Sequence, residues 1–177
     1  MGLLRRVGSL HAVIATYTLI TAVHMGLIGF GNITDFETNH QFVMHVLSMD
    51  TTFKTTMWRA VTSPALATVT YVAIIVWELV TAVLLFAAAF MGLRRGTDRH
   101  RELARHLSST GWLMWVILFG GGFIAIGGEW FSMWQSETWN GLQAAFQNVV
   151  IAAIGLVLVH LQPIRTSAVD GASSASP

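Results

Sequence analysis

Charged residues are scarce in this chain. Asp, Glu, Lys and Arg together make up 11% of its 177 residues, while hydrophobic residues make up 54%. A soluble globular domain typically carries about 25% charged residues, so this chain has too little polar surface to cover a water-facing globule. The expected solvent is therefore lipid. The net charge of +1 also leaves no basic excess that would indicate a nucleic-acid partner.

Cysteine is absent from the chain. Its absence excludes disulfides, thiolate metal sites and cysteine nucleophiles. The sequence also lacks a phosphate-binding glycine loop, a dinucleotide fingerprint and a zinc-hydrolase motif. The GGG run at 120–122 lies within an apolar segment, where close helix packing is its expected role. The sequence therefore assigns no enzyme class and requires no cofactor.

Long apolar runs dominate what is present. Residues 7–34, 60–93, 106–128 and 138–164 contain no Asp, Glu, Lys or Arg apart from Glu78. Each run can supply the roughly 20 residues that a helix needs to cross the hydrocarbon core. The runs are continuously apolar rather than alternating, which favours helices over a β-barrel. The predicted fold class is all-α, a four-helix transmembrane bundle with a long extracytoplasmic loop between helices 1 and 2.

Basic residues predict the orientation of the bundle. Lys54 and Arg59 lie between the first two runs, and the other cationic residues flank the opposite ends: Arg5, Arg6, Arg94, Arg95, Arg99, Arg101, Arg105 and Arg165. By the positive-inside rule, both termini lie in the cytoplasm. We expect one membrane domain at 1–165 and a disordered cytoplasmic tail at 166–177, TSAVDGASSASP, because the tail is small and polar.

The connection at 33–63 is long enough to carry structure or function of its own. Its segment FVMHVLSMDTTF (42–53) is apolar enough to lie on the membrane surface or to fold back over the bundle. We expect it to cover the outer mouth of the bundle.

The same connection contains His40, Met44, His45 and Met49, in which each His precedes a Met by four residues. On a helix such pairs share a face and could ligate copper. The spacing lacks the closed tetrahedral pattern of a structural metal site. We therefore favour the alternative, an apolar surface that packs on the bundle.

Tryptophans cluster in GGEWFSMWQSETWNG, at the predicted outer membrane interface. Trp130 and Trp134 are one helical turn apart, and Trp139 precedes the fourth run. Indole rings concentrate at headgroup depth, so we interpret these residues as an aromatic belt. We expect Trp112 and Trp115 to form the matching belt at the inner interface.

Glu78 is the single carboxylate within an apolar run, VAIIVWELVTAVLL. A charged side chain at such depth costs around 3 kcal/mol or more, so it should face the bundle interior and contact a partner. Counting ~1.5 Å per residue from the inner helix ends places Glu78, His24, Asn148 and Gln147 about 21 to 24 Å above the inner boundary. These residues predict a polar layer toward the outer leaflet.

Helical periodicity extends this layer. Tyr17 shares a helix face with His24, and Tyr71 shares one with Glu78. The third run contributes a stripe of small residues instead, which leaves room for a cavity below Glu129: Gly121, Ala125 and Gly128.

The candidate ligand site therefore comprises His24, Glu78, Asn148, Gln147, Tyr17, Tyr71 and Glu129. An ionisable residue at this depth indicates a titratable ligand or transport site. The alternative is that these side chains only bond one helix to another, at ~0.6 kcal/mol per hydrogen bond.

Histidines in a helical bundle raise the question of haem. His11 and His24 point ~140° apart on the first helix, so one face cannot hold both. His11 and His160 lie at similar depth on different runs and could ligate one haem. His160 is more simply explained as a side chain that extends to the interface. Haem and copper are the less favoured cofactor hypotheses.

Three segments together resemble a known family: HVLSMDTTF (45–53), TYVAIIVWE (70–78), and GGEWFSMWQSETWNG (127–141) with the following AAF (144–146). The chain resembles the bacterial family of predicted small integral membrane proteins called domain of unknown function 2165. The resemblance runs over residues 10–161 and implies a four-span, multi-pass protein of the bacterial inner membrane. It implies no activity, substrate or cofactor, so it transfers no functional residue.

Three classes of function follow from these observations. The first is a protein that binds or passes a small solute or ion at the intramembrane polar layer. The second is an accessory or assembly subunit of a larger membrane complex, for which the glycine-rich third span would supply a helix interface. The third, less favoured, is a redox protein that binds haem, copper or quinone.

Overall fold

The computed structural model describes residues 8–93 and 97–161, and no β-strand occurs in these ranges. Five α-helices are present: α1 (Leu10–Thr34), α2 (Phe36–Ser48), α3 (Pro64–Leu93), α4 (Asp98–Val116) and α5 (Leu142–His160). A π-helix (Ile117–Trp130) continues α4, and short 3₁₀ helices cover Lys54–Arg59 and Met133–Gln135. The all-α prediction is confirmed.

Four helices in the described ranges are long and apolar enough to cross a membrane: Leu10–Thr34, Pro64–Leu93, Arg99–Trp130 and Leu142–His160. They correspond to the four predicted runs and confirm the four-helix bundle. The third span begins earlier than predicted, since the charged residues that follow its N-cap, Thr97, are also helical. Consecutive spans pack against each other: α1 on α3, α3 on α4, and α4 on α5.

The core of the bundle is built around Trp112 and Trp115, both fully buried. Trp112 Nε1 donates to Thr21 Oγ1 at 3.3 Å, and Trp115 Nε1 donates to Asn148 Oδ1 at 3.1 Å. The prediction that these two residues form an inner interfacial belt is wrong. Small residues opposite them, such as Gly155, leave a space that the indole rings fill, and each ring N–H finds an acceptor there.

One end of the bundle carries residues 35–63 and 131–141, and we call it the cap end. The connection at 33–63 is largely helical rather than an extended loop, because α2 occupies its first half. Val43 of α2 packs against Tyr71 and Ile75 of α3. Val61 N donates to Leu47 O at 2.8 Å, which ties the end of the connection back to α2.

The second half of the third span is π-helical, so its backbone bonds reach back five residues, as from Phe131 N to Ile126 O at 3.0 Å. This winding is wider than that of an α-helix, and residues spaced for an α-helix no longer share a face. The predicted stripe of small residues is therefore wrong. Ala125 is exposed, Gly128 is buried against Leu142, and a Cβ on Gly121 would meet nothing within 4 Å.

The opposite end carries the start of α4, including Arg99 and Arg105, and we call it the basic end. Several predicted features lie outside the described residues: Arg5, Arg6, Arg94, Arg95, Arg165 and the tail at 166–177. The predicted domain boundary at residue 165 also lies outside them.

Candidate functional site

A cavity of about 320 Å³ lies within the bundle near the cap end. Residues of α1, α2, α3, the π-helix and α5 line it. Its polar wall comprises Asn32, Asn39, Tyr71, Glu78 and Asn148. Its apolar wall includes Ile28, Phe42, Ile74, Phe119 and Phe123. A mostly apolar cavity with a few convergent polar groups is the usual form of a small-molecule site.

Glu78 is only 1% exposed, and its carboxylate belongs to the cavity wall. Its Oε2 accepts a hydrogen bond from Asn32 Nδ2 at 2.7 Å, while the backbone oxygen of Asn32 accepts one from the Tyr71 hydroxyl at 2.8 Å. Glu78 Oε1 accepts no hydrogen bond from the described residues, and none of them forms an ion pair with Glu78. One oxygen of a buried carboxylate is therefore left for a ligand.

The observed partner of Glu78, Asn32, was not among the residues predicted from depth. Helical side chains lean toward the N-terminus of their own helix. The N-terminus of α3 is at the cap end, so the Glu78 carboxylate lies nearer the cap than its Cα. Side chains of α1 lean the other way, so Asn32 reaches down to Glu78 and His24 leans away from it. The depth count ignored both displacements. It also took the inner ends of the two runs as level, whereas Gly92 lies against Ala15 and Gly29 lies against Glu78, so the register of α1 on α3 is shifted by several residues.

A glycine in the sequence of α1 could have identified the part of this helix that contacts Glu78. A Cβ built on Gly29 would lie 3.6 Å from the Glu78 Cβ and 3.0 Å from Leu79 Cδ2. Gly29 therefore permits the close approach of α1 to α3 beside Glu78, and Asn32 follows one turn later. Membrane helix interfaces are enriched in small residues, and amide side chains hydrogen-bond across them.

The structure gathers some of the predicted site residues and separates others. Glu78, Tyr71 and Asn148 line one cavity, whereas Tyr17, His24, Gln147 and Glu129 do not. Gln147 and Glu129 are exposed at the bundle surface.

Tyr17 and His24 face the core tryptophans. The His24 ring stacks on Trp115 at 5.7 Å, and the Tyr17 hydroxyl donates to Ile151 O at 2.8 Å. Trp115 Nε1 also bonds Asn148. His24 and Asn148, which were predicted to meet Glu78, are therefore joined through the Trp115 ring instead.

The candidate copper ligands make contacts between separate elements. His40 Nε2 lies 3.0 Å from Thr68 Oγ1, and His45 Nδ1 donates to Asp50 Oδ2 at 2.6 Å. Met49 is buried and Met44 is partly buried. Within residues 8–93 and 97–161, no group of three His, Cys, Asp or Glu is placed to hold a metal ion.

The candidate haem ligands lie near the basic end and have different partners. His11 Nε2 donates to Gly92 O at 2.7 Å, and His160 Nε2 lies 3.1 Å from Ser109 Oγ. The first contact joins α1 to α3, and the second joins α5 to α4.

The tryptophan-rich segment has two different roles. Trp130 and Trp134 are half exposed, as the belt prediction requires. Trp139 is partly buried, and its ring stacks on His45 at 4.4 Å with 8° between the planes. Ser136 Oγ accepts from Thr51 Oγ1 at 2.8 Å, which joins this segment to the connection after α2. The segment therefore closes the cap end, and its position at the membrane interface stays a prediction.

Comparison with known proteins identifies a family. The family model described as predicted small integral membrane protein, domain of unknown function 2165, matches residues 10–162. No curated protein and no solved structure matches the chain.

Proposed function

The chain belongs to the family of predicted small integral membrane proteins called domain of unknown function 2165, and we propose that it binds a small solute inside its transmembrane bundle. The observation that carries the proposal is the cavity beside Glu78. A carboxylate that only bonded one helix to another would need no cavity, and protein interiors are otherwise close-packed. The second oxygen of the Glu78 carboxylate accepts no hydrogen bond from the described residues, which supports the binding of a ligand in the cavity.

Binding is better supported than passage across the membrane. Between the cavity and the basic end, the core is filled by side chains with no exposure, including Met25, Leu85, Trp112 and Trp115. A solute would have to displace these residues to cross the bundle. Ala144 is both exposed and part of the cavity wall, so the cavity opens at the bundle surface beside α5.

A cavity-filling substitution tests this proposal. Ala144→Phe should occupy the opening, whereas Ala153→Phe adds the same side chain to an exposed position of α5 outside the cavity. Each protein is purified in mild detergent, and bound small molecules are measured by native mass spectrometry. We expect a bound molecule in the wild type and in Ala153→Phe, and at least about tenfold less in Ala144→Phe. Equal occupancy in all three proteins would contradict the proposal.

A second candidate function is that of an accessory subunit. Gln147 is exposed on α5 and makes no hydrogen bond with any described residue. An amide on the outer face of a membrane helix is suited to bond a helix of another protein. A stable larger complex in the same mild-detergent preparation, lost in Gln147→Leu, would support this function.

The location that accompanies both candidates is the bacterial inner membrane, with the basic end in the cytoplasm. Arg99, Arg101 and Arg105 all lie on the first turns of α4. Lys54 and Arg59 lie at the cap end. This asymmetry supports the orientation given by the positive-inside rule.

A further inference from the structure

We propose that the cavity selects organic cations, namely protonated amines attached to an aromatic or aliphatic body. The proposal rests on the proposed function and adds a substrate class to it. Three independent features of the cavity wall favour a positively charged ligand over a neutral or negative one: the supply of acceptors, the absence of a counter-charge, and the aromatic lining.

The polar wall offers free acceptors, and each amide or hydroxyl donor on it already makes one hydrogen bond. Asn32 Nδ2 donates to Glu78, Asn39 Nδ2 to Asp35 O at 3.0 Å, and Asn148 Nδ2 to Ala144 O at 2.9 Å. The Tyr71 hydroxyl donates to Asn32 O. Glu78 Oε1 and the Asn39 side-chain oxygen accept nothing from the described residues. A ligand that donates hydrogen bonds is therefore complementary to this wall. Each amide keeps a second N–H that could serve an acceptor on the ligand, so a carboxylate or phosphate is disfavoured by the like charge of Glu78.

No cationic side chain balances Glu78. The cavity lining contains no Lys, Arg or His among the described residues. His40, next to Asn39 in α2, is not part of the lining: its ring lies 5.9 Å from that of Tyr71, and its Nε2 bonds Thr68. Removing a carboxylate from water is costly unless a positive charge and hydrogen bonds compensate it. An ammonium group on the ligand supplies both, through a charge-assisted hydrogen bond to Oε1.

The apolar wall suits the body of such a cation. Phe119 and Phe123 are stacked 5.2 Å apart on the π-helix, and Phe42 of α2 completes the aromatic part of the lining. Aromatic faces attract cations within about 6 Å of the ring centroid. An apolar cavity of about 150 Å³ accommodates benzene, so about 320 Å³ accommodates a body of about two rings. The opening beside Ala144 would admit a molecule that is already dissolved in the membrane.

Three probes with one body and different head groups test the class. They are 1-naphthylmethylamine, 1-naphthylmethanol and 1-naphthoate. Their binding to the full-length protein in lipid nanodiscs is measured at pH 7 by isothermal titration calorimetry, with empty nanodiscs subtracted. We expect the amine to bind about tenfold or more tightly than the alcohol, and the carboxylate to bind most weakly. Ala144→Phe should abolish specific binding of the amine and the alcohol, and Ala153→Phe should not.

Glu78→Gln then tests the residue that we hold responsible. The substitution keeps the shape and the acceptor for Asn32 but removes the negative charge. The variant should bind the alcohol within about threefold of the wild type and lose the preference for the amine. The Tm of Glu78→Gln shows whether the variant folds. If it does not fold, the order of the three probe affinities for the wild type still tests the cation class.

The outcomes separate this inference from the proposed function. Binding that Ala144→Phe blocks, but without preference for the amine, would overturn the cation class and leave the cavity as a binding site. A preference for the amine that survives in folded Glu78→Gln would overturn the assigned role of Glu78. If no probe binding responds to Ala144→Phe, both the class and the proposed function fail.

Discussion

Trp112 shows how single residues set the distance between helices in this bundle. Its ring lies against Gly155 of α5 and donates to Thr21 of α1, so one side chain of α4 contacts two other spans. The contact with Gly155 leaves no space for a methyl group, since a Cβ there would overlap the ring, with Cζ2 at 2.8 Å. Glycine at 155 is thus required by packing rather than by backbone conformation.

Gly155→Ala tests this contact. The added Cβ must displace a fully buried indole, and overpacking of a close-packed core typically costs about 1 to 3 kcal/mol. We expect a lower Tm in detergent for Gly155→Ala. Gly31→Ala in α1 is the matched control, because its Cβ would meet nothing within 4 Å. This control should have an unchanged or slightly higher Tm, since alanine favours the helix. Equal Tm values for the two variants would contradict the assigned contact.

Glu78 illustrates a residue whose importance is visible in the sequence but whose environment is not. Its position in an apolar run indicates a buried carboxylate, and burial is observed. The identity of its partner depends on the direction in which side chains lean on two antiparallel helices. That direction, together with the register that sets Gly29 beside Glu78, brings Asn32 to Glu78 and leaves His24 against Trp115.

At the scale of elements, the cap end depends on contacts between segments that are far apart in the chain. Arg59 joins the 3₁₀ helix Lys54–Arg59 to the end of the π-helix. Its Nη2 donates to Ser132 Oγ at 2.9 Å and its Nη1 to Glu129 O at 3.3 Å. The guanidinium also lies 5.6 Å from the Trp130 ring centroid. Ser132 is one of two described non-glycine residues with a positive φ, at 54°, so this turn needs external support.

Replacing Arg59 should loosen that turn. Arg59→Met removes both hydrogen bonds and the cation–π contact while keeping an unbranched apolar chain. Hydrogen bonds to charged groups contribute about 1.5 to 3 kcal/mol, so local opening should become at least about tenfold more frequent. Hydrogen–deuterium exchange of the peptide covering 129–136 measures the effect.

Lys54→Met is the matched control for Arg59→Met. It removes the other cation of the cap end, which is exposed and makes no hydrogen bond or ion pair with any described residue. Exchange over 129–136 should equal that of the wild type. Faster exchange in both variants would indicate that net charge, rather than the Arg59 contacts, stabilises the turn.

At the scale of the whole molecule, the four spans cross in alternating directions. The chain therefore places α2 and the tryptophan-rich segment together at one end and the basic start of α4 at the other. The cavity lies near the first of these ends, beneath α2. The orientation of the protein in the membrane therefore decides which compartment the cap end, and with it α2 above the cavity, faces.

Cysteine labelling measures the orientation, and the natural absence of cysteine supplies a clean background. Thr55→Cys places a thiol on an exposed residue of the cap end, and His100→Cys places one on an exposed residue of the basic end. With the basic end in the cytoplasm, a membrane-impermeant maleimide should label Thr55→Cys in intact bacteria. It should label His100→Cys only after the cells are lysed. The reverse pattern would invert the proposed topology.

The sequence by itself determined the class of this protein. Long runs without charge can be stable only in lipid, and lipid admits helices because each helix satisfies its own backbone hydrogen bonds. Four such runs therefore specified four spans, and the isolated position of Glu78 specified a buried carboxylate.

Tertiary structure decided which side chains meet. The sequence could not place Trp112 in the core, because its burial depends on the space that Gly155 leaves on another helix. It could not show that the third span changes to π-helical winding, in the segment from which Phe119 and Phe123 line a cavity wall. Periodicity reports the faces of one ideal helix, whereas register, side-chain direction and local winding arise only when several helices pack together.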